Sequence, residues 1–474
     1  MNEVLELIPL LRNLLQPINR LPQEVLSRIA QHVPDANATD TRSIIPMTHV
    51  CRYWRKSIIS TPDNWVLISS GSFGLAKLSL ERCRAVPLRL WLDTRDIKRN
   101  PRFSYQIIPH IQNTEALHIH HISATKELEQ TLRVFPRPMS NLRSLSLSSS
   151  MGADWDWFKD PRKPLTPPLT QLSLAGIPLY PSFLRLRTLT VLTLHNLWFN
   201  LHFDTLLDFL EENRSLESAT LHIHFHHPSL RNSHRYVAIE NRLRYLSMYD
   251  TMDDNALISK IAVQKGAYLE ITLYDRNAGL NGVLSLISMP HLLNLHSPTS
   301  MNYCPDTRSI RLSGPNGTFS FQSPLCTIGP FVEFHLLSLD TIRTFHLVRP
   351  PLERGGLYAR PFVLPPLSFP SLETLSIECE SKISISYLLP RFFSNPPPHP
   401  SLKTLAFLDC DLDHGFMEKL IRFSSKRKTS VRLHRVVIIN SRGNLPSVAS
   451  IGLLEKHVPV VEVLVGRALP SDLK

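Results

Sequence analysis

Histidines are the residues of this 474-residue chain whose spacing most invites a chemical reading. His118, His120 and His121 form one group, and His222, His224, His226 and His227 form another. On strands, alternation sends His118 and His120 to one face, and His222, His224 and His226 likewise. Zinc holds imidazole nitrogens at about 2 Å. Alternate strand residues stand about 6.5 Å apart, so neither run closes a metal site without a bend. The groups lie several repeats apart and cannot share one ion. Their expected place is the lining of an open sheet face, where protonation at about pH 6 could tune the surface. Cysteines at 51, 83, 304, 326, 379 and 410 include no C-x-x-C pair, which fits neither a zinc site nor a disulfide framework. Ser, His and Asp are scattered, with no G-x-S-x-G elbow, P-loop, G-x-G-x-x-G or H-E-x-x-H. The expectation is a non-catalytic chain without metal or cofactor.

Composition points the same way. Hydrophobic residues make up 43% and charged residues 19%, enough apolar material to fold. No apolar run approaches the roughly 20 residues that cross a bilayer, so no membrane span is expected. Glu3 and Glu6 stand where a secretory leader would be cationic. With dispersed cysteines, this suggests a reducing compartment, cytoplasmic or nuclear. Glycine is scarce at 16 and proline abundant at 38, which favours short elements punctuated by proline. The excess of 52 Lys and Arg over 40 Asp and Glu gives +12, modest for this length.

The positioning framework is a repeat. An apolar residue, two others, an apolar residue, one other and an apolar residue recur as Leu142-x-x-Leu145-x-Leu147 and Leu169-x-x-Leu172-x-Leu174. The same pattern begins at Leu189, Leu216 and Leu243, and again at Ile342, Leu372 and Leu402. The first five starts are 27, 20, 27 and 27 residues apart, and the last three are 30 apart. That period and pattern resemble leucine-rich repeats. Helical stripes fill some gaps: one near Leu206, Leu207 and Leu210, one near Phe416, Leu420 and Phe423, and one through Ala256, Ile258 and Ile261. The implied fold class is α/β, a curved solenoid with parallel strands inside and helices outside, over residues 70–470. Residues 275–335 resist registration. Flanking strand positions such as Ser144, Ser146, Ser173, Thr193, Tyr245, Ser247 and Tyr249 are neutral, which suits a protein partner better than nucleic acid.

Ahead of the repeats, residues 1–17 read as an amphipathic helix and residues 18–66 as a small helical module. Leu21-Pro22 opens a helix with Glu24 in its first turn, and Val25, Leu26, Ile29 and Ala30 form an apolar stripe. A second helix carries Val50, Cys51, Trp54 and Ile58, and Pro62 stops it before Trp65. About fifty residues bury too little surface to stand alone, so the module leans on the array or on a partner. Leu21-Pro22-x-Glu24-Val25-Leu26-x-x-Ile29, then Val50-Cys51-Arg52-x-Trp54-Arg55, then Trp65, resembles an F-box.

The resemblance implies a three-helix motif that docks on the adaptor subunit of SCF-type ubiquitin ligases, and through it on a cullin. By position it implies Leu21, Pro22, Val25, Leu26, Ile29, Val50, Cys51, Trp54 and Trp65 as adaptor-binding residues, with Trp54 in the shared core and Trp65 sealing the end. The solenoid would then bind an unknown target protein. Candidate target contacts are His222, His224, Tyr245 and Tyr249, with Trp155 and Trp157 as either a partner-facing knob or a loop folded back on the array. Two alternatives stand beside this reading: an interaction scaffold whose F-box-like segment caps the solenoid, and a basic nucleic-acid-associated repeat protein.

Overall fold

The computed structural model describes residues 16–32, 41–122, 139–149, 168–177, 179, 183–197, 203–223, 237–239, 242–250, 261–273, 297–304, 309–322, 339–349, 369–379, 401–410, 412, 414–427, 432–440 and 445–465. The amphipathic segment 1–15 and the Trp155/Trp157 segment lie outside the described residues. The chain divides into two compact units, 1–216 and 217–474, so the division falls inside the repeat array and the helical module belongs to the first unit. Among the described residues no helix is long and apolar enough to cross a membrane.

In the first unit, α1 (Gln23–His32) and α2 (Arg52–Ser60) are framed by single 3-10 turns at Pro17–Arg20, Thr41–Ile44, Pro46–His49 and Pro62–Trp65. Pro22 sits one residue before α1, where its carbonyl accepts from the Val25 and Leu26 N–H groups at 3.1 Å. The chain then enters a sheet: β1 (Leu67–Ser69), α3 (Phe73–Cys83), β2 (Leu88–Asp93), α4 (Thr94–Arg99), α5 (Arg102–Ile107), β3 (Thr114–Ile122), β4 (Ser144–Ser149), β5 (Gln171–Ala175) and β6 (Val191–Leu197). These six strands pair in sequence order, all parallel. α6 (Phe203–Glu212) follows, where the Leu206/Leu207/Leu210 stripe requires a helix.

The second unit holds β7 (Ser218–Ile223), β8 (Val237–Ile239), β9 (Tyr245–Asp250), β10 (Ile261–Val263), β11 (Tyr268–Leu273), β12 (Ser300–Cys304), β13 (Ser309–Gly314), β14 (Gly317–Gln322), β15 (Thr344–Arg349), β16 (Thr374–Cys379), β17 (Thr404–Leu408), α7 (His414–Lys426), β18 (Arg435–Ile439), α8 (Val448–Glu455) and β19 (Val460–Leu464). β7, β9 and β11 are parallel neighbours, as are β15 through β19.

The repeat motif works as its chemistry requires. Strand alternation puts the second and third apolar positions on one face, and Leu145, Leu147, Leu172, Leu174, Leu375 and Ile377 are all buried there. The first position, two residues ahead of each strand, is buried too, from Leu142 to Leu402. The residue between is a hydrogen-bond relay. The Thr170 N–H donates to Arg143 O, Glu373 N–H to Arg343 O, and Lys403 N–H to Glu373 O, each at 2.8 Å. This chain of bonds locks one repeat to the next in a single register. Leu433-x-x-Val436-x-Ile438 obeys the same rule on β18, while Val458-x-x-Val461-x-Val463 repeats the pattern on β19 with Val458 buried and Val461 and Val463 half-buried.

Two expectations are corrected. The solenoid is not parallel throughout: β12, β13 and β14 form an antiparallel meander, with β14 parallel to β11 and β12 parallel to β15. A two-residue Pro315-Asn316 turn joins β13 to β14, a connection that only antiparallel strands permit. Gly317 completes it at φ +127°, a conformation reserved for glycine. This meander accounts for the part of 275–335 that lies within Ser300–Gln322; residues 275–296 and 323–335 lie outside the described residues. The expected helical stripe ending at Ile261 also fails there, because Ile261–Val263 is β10, paired in parallel with β8. Both segments are rich in β-branched residues, which favour pleated backbone.

Candidate partner-binding surfaces

The helical module has its own small core. Leu26, Ala30, Ile44, Met47, Trp54, Ile58 and Trp65 are buried in it. Polar bonds fix the packing. The Trp54 indole N–H donates to Asn19 Oδ1 at 2.7 Å, and the Trp65 N–H donates to Ile58 O at 3.0 Å. The Tyr53 hydroxyl reaches back to Leu21 O at 2.7 Å, tying the entry of α1 to α2. On the array side, the Arg82 guanidinium of α3 lies 4.3 Å over the Trp65 ring, and Arg42 donates to Gly71 O at 3.3 Å.

The opposite side is left greasy. Val25 is 40% exposed and Val50 54%, with Ile18 at 48% and Tyr53 at 37%. Pro22 is exposed, and Leu21, Ile29 and Cys51 are half-exposed. Of the residues carried over from the F-box pattern, these six present a surface. Leu26, Trp54 and Trp65 do not; each is sealed inside the chain and acts as core. The correction has a simple cause. Val25 and Leu26 belong to one stripe, but the helical rotation of about 100° between neighbours lets only one of them face α2.

In the first unit, the strand face opposite the core carries Arg89, Trp91 and Asp93 on β2, and His118 and His120 on β3. The imidazoles flank an indole. The Trp91 ring stacks on His118 at 4.7 Å and on His120 at 4.5 Å, with interplanar angles of 19° and 20°. Trp91 was not anticipated, although Leu88-x-Leu90-x-Leu92 alternation was the available signal. His121 departs from this face at a register shift between β3 and β4, with φ +53°. Burial pushes the His118 pKa down to about 4, helped by His120 and Arg89 nearby. His120 is also lowered, by burial and by His121.

The sign follows directly. The unfolded chain binds the proton more readily, so stability is full above about pH 6.5 and is lost as pH falls toward 4. Urea unfolding is expected to show this slope between those pH values in the wild type and a shallower one in His118→Gln. An unchanged slope would remove His118 as its source.

In the second unit, register brings His222, Tyr245 and Tyr249 together. His222 faces Tyr249 across β7 and β9, with ring centroids 5.5 Å apart. Tyr245 stacks on Tyr268 of β11 at 5.4 Å and 10°. The Tyr245 hydroxyl donates to Glu270 Oε2 at 2.6 Å, and Ser247 Oγ donates to the same oxygen at 3.4 Å. Burial and the Glu270 bond push the Tyr245 phenol up to about 12, so it stays a donor. The Arg311 guanidinium lies 5.9 Å from the Tyr268 centroid. Tyr268, Glu270 and Arg311 join this patch only through register and were not foreseen as site residues. His224, Trp155 and Trp157 lie outside the described residues. The face is not polar to its end. Ala406, Leu408, Val437 and Ile439 occupy the equivalent positions on β17 and β18 and form a buried apolar cluster.

The described surfaces are thus an apolar stripe on the helical module and two aromatic, hydrogen-bonding patches on strand faces. No protein-family model matches the chain, and no curated protein is similar to it in sequence.

Proposed function

We propose that this chain is the target-recognition subunit of an SCF-type ubiquitin ligase. The helical module docks on the adaptor subunit, and through it on a cullin, while the strand faces hold the target protein. The chain's role in catalysis is proximity: it raises the effective concentration of the target beside a ubiquitin-loaded enzyme. One observation carries the reading. The F-box-like module completes its own core and still leaves Val25, Val50, Pro22 and part of Leu21 facing outward. Exposed apolar groups set around a packed hook are the anatomy of a docking anchor.

The test is capture of the adaptor subunit by the full chain. Leu21→Ala/Pro22→Ala is expected to weaken capture about thirty-fold, the loss of a hot spot of about 2 kcal/mol. A wild-type chain that fails to bind adaptor would retire the ligase role. The contacts of Arg82 with Trp65 and of Arg42 with Gly71 favour a second reading, in which the module is an end cap for the array. That reading expects deletion of residues 18–65 to destabilise the array, and no adaptor to co-purify with the full chain.

A further inference from the structure

A cleft of about 510 Å3 opens in the second unit beside the start of β9 and β11, next to the stacked Tyr245 and Tyr268. Glu217, Arg242, Arg244, Gln264, Lys265 and Gly266 line it. Backbone hydrogen bonds hold the segments that carry them. The Arg244 N–H donates to Glu217 O at 2.8 Å, and the Tyr268 N–H donates to Arg244 O at 2.7 Å, so Arg244 is fixed by the repeat relay itself. Lys265 rides on a tight turn closed by the Ala267 N–H on Gln264 O at 3.1 Å. Gly266 allows that turn with φ +89° and anchors it through its N–H to Asn316 O at 2.8 Å.

Arg242, Arg244 and Lys265 are all exposed, and among the described residues their side chains form no ion pair and no hydrogen bond. Three cationic groups face a single carboxylate, Glu217, in this lining, and an arriving anion offsets the excess positive charge. Three cations less the Glu217 carboxylate leave two positive charges in the lining. A phosphate monoester carries about −1.5 to −2 at pH 7, which matches. Guanidinium groups present paired donors that fit phosphate oxygens, and an ammonium adds a compact charge. The volume lies within the range of small-ligand sites, roughly 300–1,000 Å3. It accepts one phosphorylated group. A nucleic-acid strand needs a continued cationic track; the adjoining positions Ser218, Tyr245, Tyr268, Thr220, Ser247 and Glu270 are neutral or acidic, and Arg311, 5.9 Å from the Tyr268 centroid, is a single cation beside them.

We propose that this cleft is an anion site that takes a phosphate monoester group, gripped by Arg242, Arg244 and Lys265. The site does not depend on adaptor docking. Its test is calorimetric titration of the full chain with inorganic phosphate and with O-phosphoserine at low, constant ionic strength. Saturable binding is expected, several-fold tighter at pH 7.5 than at pH 5, because the second phosphate ionisation lies at about pH 6. Arg242→Gln/Arg244→Gln/Lys265→Gln is expected to weaken it at least ten-fold. Glu217→Gln is expected to tighten it several-fold, a gain that damage to the fold cannot imitate. The source of the phosphate is read by adding vesicles of phosphatidylcholine containing a phosphatidylinositol phosphate. Capture of vesicles that is lost in the triple variant assigns a lipid headgroup; binding of soluble phosphoserine alone assigns a soluble or protein-borne phosphate. Absence of phosphate binding, or binding unchanged in the triple variant, overturns the proposal, and adaptor capture is untouched in either case.

Discussion

Trp65→Ala is expected to destabilise the first unit by about 3–5 kcal/mol, the range for removing a fully enclosed large aromatic side chain. The indole is 1% exposed. It is held on both sides. Its N–H donates to Ile58 O at the end of α2, and Arg82 of α3 stacks on its ring. Alanine would leave a cavity, an acceptor without its donor and a guanidinium without its platform. One substitution removes all three at once because they share one side chain. The result spans the module and the first repeats together, since Trp65 touches both. Urea unfolding followed by intrinsic fluorescence checks it. A cost below about 1 kcal/mol would mean that the module hangs loosely from the array, and the end-cap reading would lose its support.

Val25→Asp/Val50→Asp is expected to do the opposite: abolish adaptor capture while leaving the melting temperature nearly unchanged. Both residues are about half exposed, so a carboxylate at each can reach water and changes folding by little. In a docked interface, both carboxylates would be stripped of water without a partner, a cost of several kcal/mol. That corresponds to more than a hundred-fold loss of affinity. Quantitative pull-down beside a thermal melt separates the two effects. Capture that survives the double substitution would place the docking surface elsewhere and remove the observation on which the ligase assignment rests. Leu26, next to Val25 in the same stripe, is a useful contrast because its contribution is to the fold.

The array was legible wherever local chemistry repeats. Leu142, Leu145 and Leu147 declare one strand and its buried face without reference to any neighbour, and so do Leu372, Leu375 and Ile377. Thr114-x-x-Leu117-x-Ile119 hid a repeat because its first position is a threonine, yet Thr114 is as buried as the leucines it replaces. The meander from β12 to β14 hid for another reason. Antiparallel neighbours follow each other through short turns and leave no long period to detect.

Side-chain periodicity by itself determined that this chain is a repeat array with a helical hook at its head, because burial of one face depends only on residues two or three positions apart. Which stripe residue faces out, Val25 rather than Leu26, was decided by the packing of α1 against α2. The Trp91–His118–His120 stack, the Tyr245–Tyr268–Glu270 patch and the Arg242–Arg244–Lys265 cleft were likewise decided only by the fold. Each group joins two neighbouring repeats, whose contributions stand some 20 to 30 residues apart in the chain and are set side by side by strand register.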